Sequence, residues 1–218
     1  MKLFRPLTLK DSKRLILFGA GALLLVGIDL LTKWLAEIFL VEGELNPIIP
    51  DFLYFTKSYN TAVAFSLGSN LPMPVGRAIN ITISVVMSIA ILWYWILHDD
   101  RFTNFQRTIA MLLAAGAVGN LIDRAFYWEA ITGFDGVIDF IQFYLAGGPS
   151  APTNFVNPFA TFNLADSYLT IGMIMLIVLM IVDMIKESKG SSLVKDPRLK
   201  DAPKPNDSEI NKDGESQD

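Results

Sequence analysis

Cysteine is absent from the 218 residues and histidine occurs once, at His98. The first absence excludes disulfides, thiolate nucleophiles and cysteine-ligated metals. The second leaves no HExxH zinc site, and it allows a Ser-His-Asp triad only if His98 can reach one. No metal or other cofactor is implied. Charge is also scarce: 18% of residues are Asp, Glu, Lys or Arg and 52% are hydrophobic, with a mean hydropathy of +0.41. That balance is too apolar for an average soluble domain of this length and points to a chain facing lipid. Nor is there a basic excess. A net charge of -4 and a pI near 5.0 provide no field for a polynucleotide, so no nucleic-acid partner is expected.

What the chain does have is long apolar runs. At about 20 residues per span, four can cross a membrane: Leu15 to Trp34, Val75 to Leu97, Thr108 to Ile122, and Leu164 to Ile185. The first resembles a secretory signal, but it ends in Asp29 and Lys33 instead of a small-residue cleavage site, and three more spans follow. The third is short and rich in Ala and Gly (Ala110, Ala114, Ala115, Gly116, Gly119), which lets helix backbones approach closely within lipid. Lys2, Arg5, Lys10, Lys13 and Arg14 precede span one, Arg101 and Arg107 flank the link between spans two and three, and seven basic residues follow from Lys186 onward. The intervening long loops carry only Lys57, with Arg77 where the first loop enters span two, which predicts cytoplasmic termini and both loops outside. In the first loop, FLYFTKSY and AFSLG read as short strands. The second, from Phe126 to Thr161, is punctuated by Gly and Pro and reads as irregular. The expected fold class is an all-α membrane protein of four transmembrane helices, with a small β-rich extracytoplasmic layer and an extracytoplasmic loop or helix. Residues 1–186 form the membrane domain, and the polar stretch 187–218 is expected to be a disordered cytoplasmic tail.

On that topology one set of polar residues reaches a single leaflet. Asp29 and Lys33 end span one, Asn120, Asp123 and Arg124 end span three, and Asn163 and Asp166 begin span four. Asp139 and Asn60 come from the outer loops and can fold onto them. Ionisable groups converging at membrane depth mark a candidate site, because each is costly there. Structural roles compete with that reading: Asp29 and Lys33 can pair and snorkel, and Asp123 can lock the bundle by an ion pair to Arg124 or across helices. Asn163 can cap the fourth helix, with Asp166 answering its dipole. His98, beside Asp99, Asp100 and Arg101, reads as a solvated loop residue on the wrong side. A Ser-Lys pair would draw on Lys33 or Lys57 with Ser58, Ser66 or Ser167, and no spacing favours one. Two carboxylates sharing a proton need neither metal nor histidine, and Asp139 and Asp166 are candidates for that chemistry. A proton-coupled transporter with Asp29, Asp123 and Asp166 as a relay is the competing class, though the groups gather at one leaflet instead of crossing it. A structural membrane subunit is the third.

Five segments in order resemble the bacterial lipoprotein signal peptidases, or signal peptidase II, a family of membrane aspartic peptidases. They are Asp29 with Lys33, Asn60 to Phe65 (NTAVAF), Gly119 to Arg124 (GNLIDR), Val137 to Phe140 (VIDF) and Phe162 to Asp166 (FNLAD), spread over most of residues 15–185. The resemblance implies Asp139 and Asp166 as the catalytic aspartates. It makes Asn60, Asn120, Arg124 and Asn163 polar residues around the substrate, with Asp29, Lys33 and Asp123 in support. It further implies a prolipoprotein substrate whose cysteine carries diacylglycerol, membrane lipid as a partner, cell-membrane location with the site at the outer leaflet, and inhibition by globomycin-type lipopeptides. The chain departs from the family in having Ala62 and Val63 where Gly and Ala are usual, in a longer stretch between Asp139 and Asn163, and in the polar tail.

Overall fold

A computed structural model describes residues 9–61, 73–126, 136–145, 147–151 and 158–188. Four long helices and three strands follow in the order α1 (Leu9–Phe39), β1 (Asn46–Ile49), β2 (Leu53–Asn60), α2 (Met73–His98), α3 (Asn104–Phe126), β3 (Val137–Phe143) and α4 (Leu164–Ser188). All four helices contain stretches long and apolar enough to cross a membrane: Ser12–Phe39, Val75–Arg101, Asn104–Phe126 and Leu164–Lys186. Their outward faces are large and apolar, as at Leu17, Leu23, Val86, Ile89, Ile174 and Met180. In water such a surface would be an aggregation hazard, whereas in a bilayer it is the face that lipid covers.

The four spans agree with the sequence reading, but the end of the first does not. α1 continues past Trp34 to Phe39, so Asp29 and Lys33 lie inside the helix and not at its mouth. Neither snorkels, since both are completely buried. A paired i, i+4 acid and base does not interrupt helical hydrogen bonding, and here partners on other helices compensate the charges.

α3 is the central helix. Half of its apolar stretch is buried, against 17% or less for the other three, and its buried face is Ala110, Ala114, Ala115, Gly116 and Gly119, as the small-residue pattern predicts. A Cβ on Gly116 would lie 2.6 Å from Leu169 Cγ, and one on Gly119 would lie 2.6 Å from Asp29 Oδ2 and 3.2 Å from Ala165 Cβ. Those two glycines let α1, α3 and α4 converge at one end.

The sheet has the order β1-β2-β3, antiparallel throughout. β3 corrects the expectation of an irregular second loop. VIDFIQF is rich in β-branched and aromatic residues, and it pairs with β2 from Leu53↔Phe143 to Asn60↔Val137, a distant edge that the neighbouring Gly and Pro gave no hint of. Ile138 and Phe140 pack on Ala36 of α1, with Phe55, Tyr59 and Leu164 around them. Each such side chain contributes on the order of 1.5–3 kcal/mol relative to exposure, which fixes the sheet to the helix ends. The expected strand at AFSLG, the loop segment with Ala62 and Val63, and Ser66 lie outside the described residues. So do residues 127–135, where an extracytoplasmic loop or helix could fall, and residues 189–218 of the polar tail. The chain forms two compact units, Met1–Leu179 and Met180–Asp218, and all the polar residues of interest belong to the first.

Candidate active site

The site is assembled by a short clip between β3 and the start of α4. Ile141 and Phe162 exchange backbone hydrogen bonds of 2.9 and 3.0 Å. Asn163 follows Phe162 directly and Asp139 lies two residues before Ile141, so the clip brings their side chains together: Asn163 Nδ2 donates to Asp139 Oδ1 at 2.7 Å. Asn163 also caps α4. Its Oδ1 accepts the Asp166 N–H at 3.0 Å, while Asp166 Oδ2 accepts the Asn163 N–H at 3.2 Å. This reciprocal capping box satisfies two otherwise orphaned donors and puts an acid at the positive end of the helix. One asparagine therefore holds both aspartates, its oxygen turned to the helix and its nitrogen to the strand.

Asn120 of α3 completes the frame. Lys33 can only donate, and its Nζ lies 3.1 Å from Asn120 Oδ1; that oxygen must face the lysine, which leaves Nδ2 to donate to Asp166 Oδ1 at 2.7 Å. Lys33 is held in turn between Asp29 at 2.8 Å and Asp123 at 2.7 Å. Asp123 thus takes the cross-helix option of a bundle lock, through Lys33. Arg124 instead reaches Ser84 of α2, with Nη1 donating to Oγ at 3.0 Å. Asp29 has a second task that its sequence position did not disclose: its Oδ1 accepts the Ala165 N–H at 2.8 Å, satisfying another donor in the first turn of α4. From the sheet, Asn60 Nδ2 donates to Asp139 Oδ2 at 2.9 Å.

All nine singled-out residues, Asp29, Lys33, Asn60, Asn120, Asp123, Arg124, Asp139, Asn163 and Asp166, are linked in this region. Asp139 is buried and Asp166 only half-buried. Burial, and secondly the nearby charge of Asp166, push the Asp139 carboxyl up to about 7, against the lowering effect of hydrogen bonds from Asn60 and Asn163 and of Lys33. A carboxyl poised there exchanges a proton near neutral pH. The described residues contain no His, Cys, Asp and Glu grouping that fits a metal ion.

The other sequence candidates are placed elsewhere. His98 is the last residue of α2, stacked on Tyr94. It is therefore helical and not the solvated loop residue expected, and its neighbour Asp99 is buried, bonded to Arg107 and Trp95. Lys57 pairs with Glu37, and Ser167 Oγ donates to the Asn163 carbonyl, so among the described residues no lysine activates a serine. Sequence reasoning missed Asn80 and Ser84. Asn80, Ser84 and Ser88 recur every four residues in an otherwise apolar span, a helical-face signal that was available.

Comparison with known proteins gives a consistent result. Residues 21–182 match the profile of the family described as signal peptidase (SPase) II. A lipoprotein signal peptidase of Bartonella henselae is 33% identical over 178 residues, 80% of this chain and 94% of that protein. One from Bacillus subtilis is 33% identical over 177 residues, 80% of this chain and 99% of its own. Two solved bacterial membrane enzymes align with TM-scores of 0.58 and 0.56 at 31% and 32% identity. They cover 78% and 77% of this chain and 88% and 92% of theirs. The transporter reading finds no support in these relatives or in a cluster confined to one end of the bundle. The chain belongs to the signal peptidase II family.

Proposed function

We propose that this signal peptidase is a membrane aspartic endopeptidase with Asp139 and Asp166 as its catalytic pair. It removes the signal peptide from prolipoproteins, cutting on the N-terminal side of a cysteine that already carries diacylglycerol. The observation that carries the reading is the double engagement of Asn163, which holds the strand aspartate and the helix aspartate by one side chain. Two carboxyls so placed share a proton. Asp166, the more accessible, takes a proton from the attacking water as the oxygen adds to the scissile carbonyl, and the Asp139 proton passes to the carbonyl oxygen. Collapse of the tetrahedral species then breaks the C–N bond: the proton on Asp166 goes to the leaving amine and a hydroxyl proton of the diol returns to Asp139, so the pair ends as it began and no net proton is consumed. Asn120 and Asn163 hold the pair, and Arg124 is suited to a carbonyl or a polar lipid group. The signal peptide binds as a helix among the spans, with the lipid chains in grooves between them. By the Lys and Arg distribution the termini are cytoplasmic and the pair works at the outer leaflet.

The test is turnover of a diacylated lipopeptide by purified protein in detergent, comparing the parent with Asp139→Asn and Asp166→Asn. Both variants should bind lipopeptide and lose cleavage, and a globomycin-type lipopeptide should compete with substrate. Substantial turnover in either variant would end the two-aspartate reading.

A further inference from the structure

The hydrogen bond from Asn60 to Asp139 depends on a strand end that the sheet does not secure. The β2-β3 ladder stops at Asn60↔Val137, and a terminal pair frays more readily than an interior one. Two features beyond the ladder hold this end. Asn80 of α2, nine-tenths buried, donates from Nδ2 to the Thr61 carbonyl at 2.7 Å. Gly136, with φ +107, passes so close that a Cβ there would lie 2.6 Å from the Asn60 oxygen and 3.0 Å from the Thr61 nitrogen. Thr61 is therefore tied through its carbonyl to a helix in the membrane, while the peptide that joins it to Asn60 lies against the backbone just ahead of β3.

We propose that Asn80 is a positioning residue for catalysis: by holding the Thr61 carbonyl it fixes the Asn60 side chain on Asp139 Oδ2. This rests on the reading of Asp139 as catalytic. A carbonyl only accepts, so the Asn80 amide is oriented by its partner. An asparagine in an apolar span is costly unless it does a job there, and this one serves a single backbone oxygen next to the site. Asn80 itself touches no reacting group. Its influence passes through the Asn60–Thr61 peptide, and the charged groups that act on Asp139, namely Asp166 of α4, Lys33 of α1 and Arg124 of α3, are not its partners.

The experiment is a double-mutant cycle on the full chain in detergent, with a synthetic diacylated lipopeptide. Asn80→Leu should lower kcat roughly tenfold or more, with little change in KM, because a displacement of an ångström at a catalytic group costs that much. Asn80→Gln, which keeps a donor, should recover most of the rate. The double variant Asn60→Ala/Asn80→Leu should be no slower than Asn60→Ala alone. The alkaline limb of the pH profile should move upward in Asn80→Leu, as in Asn60→Ala, since both loosen a hydrogen bond that favours the ionised Asp139. Multiplying losses in the double variant, or an unmoved pH profile with a slower rate, would overturn the proposal and make Asn80 a purely structural residue. Asn80→Ala asks the same question if the leucine variant does not insert. An active Asp139→Asn control would instead defeat the catalytic reading, so the two failures are distinguishable.

Discussion

Buried charge occurs at both ends of α3, about 24 Å apart at 1.5 Å per residue between Arg107 and Asp123, and the two clusters are built differently. At one end Asp99 meets a single cation. Arg107 Nε donates to its Oδ1 at 2.9 Å, Nη2 reaches Oδ2 at 3.3 Å, and the Trp95 indole N–H adds a bond of 3.1 Å. One charge is matched by one charge, and both carboxylate oxygens are satisfied. At the other end Asp29, Asp123, Asp139 and Asp166 face Lys33 and Arg124, with the amides of Asn60, Asn120 and Asn163 between them. There acids outnumber bases, and amides that can bond a carboxylate but cannot neutralise it fill the gap. A balanced pair has nothing left to give a substrate. In the acid-rich cluster Asp139 is pushed up to about 7 by burial and by the charge of Asp166, which suits acid–base chemistry.

The strongest way to break this contrast is to remove one acid. Asp139→Asn or Asp166→Asn should cut turnover by about three orders of magnitude, within the usual contribution of a general acid or base, with melting temperature held or raised because a crowded charge has gone. The mirror experiment is Arg107→Met, which strands Asp99 without a cation. It should cost about 3–5 kcal/mol of stability while leaving kcat of the folded fraction unchanged. Equal loss of kcat in Arg107→Met would show the two ends to be coupled. A third variant probes how tightly the acid-rich end is packed. Gly119→Ala sets a methyl against Asp29 and Ala165 and should cost about 1–3 kcal/mol as overpacking does, with slower turnover as the first turn of α4 shifts. A melting temperature equal to the parent's would mean that the helices separate freely there.

The pH response is the mildest test. Asp139 is raised from its ordinary 3.8 to about 7, so between those values the folded protein holds a proton that the unfolded chain has released. The stability due to this group is full below about 3.8, falls as pH rises, and is gone above about 7. The rate should follow the shared proton and decline about tenfold per unit once pH passes 7. Asp139→Asn should flatten the stability change in thermal melts, and an unaltered slope in that variant would assign it to another group.

Much of this molecule is legible in the order of its amino acids. Four spans follow from uninterrupted apolar runs, because backbone in lipid must satisfy its own hydrogen bonds and a helix does so locally. The small residues of α3 announce the central helix. Asn163 three residues before Asp166 is a capping signature readable by eye; seven of the nine polar residues stand out by their level on the spans, and all nine by the family motifs. Tertiary structure decided the rest. That Lys33 bridges two acids instead of snorkelling depends on α3 lying beside α1, and that Asp29 serves α4 depends on the gap left by Gly119. The pairing of β3 with β2 and the hydrogen bond from Asn80 to Thr61 join separate elements, and local patterns that mark a strand or a polar helix face do not name the partner across the gap. Periodicity and capping are properties of neighbours in sequence, so the chain alone determined the helices, their ends near Asn163 and the identity of the polar groups. Which nitrogen faces which oxygen is set where separate elements meet, and only the fold determines that.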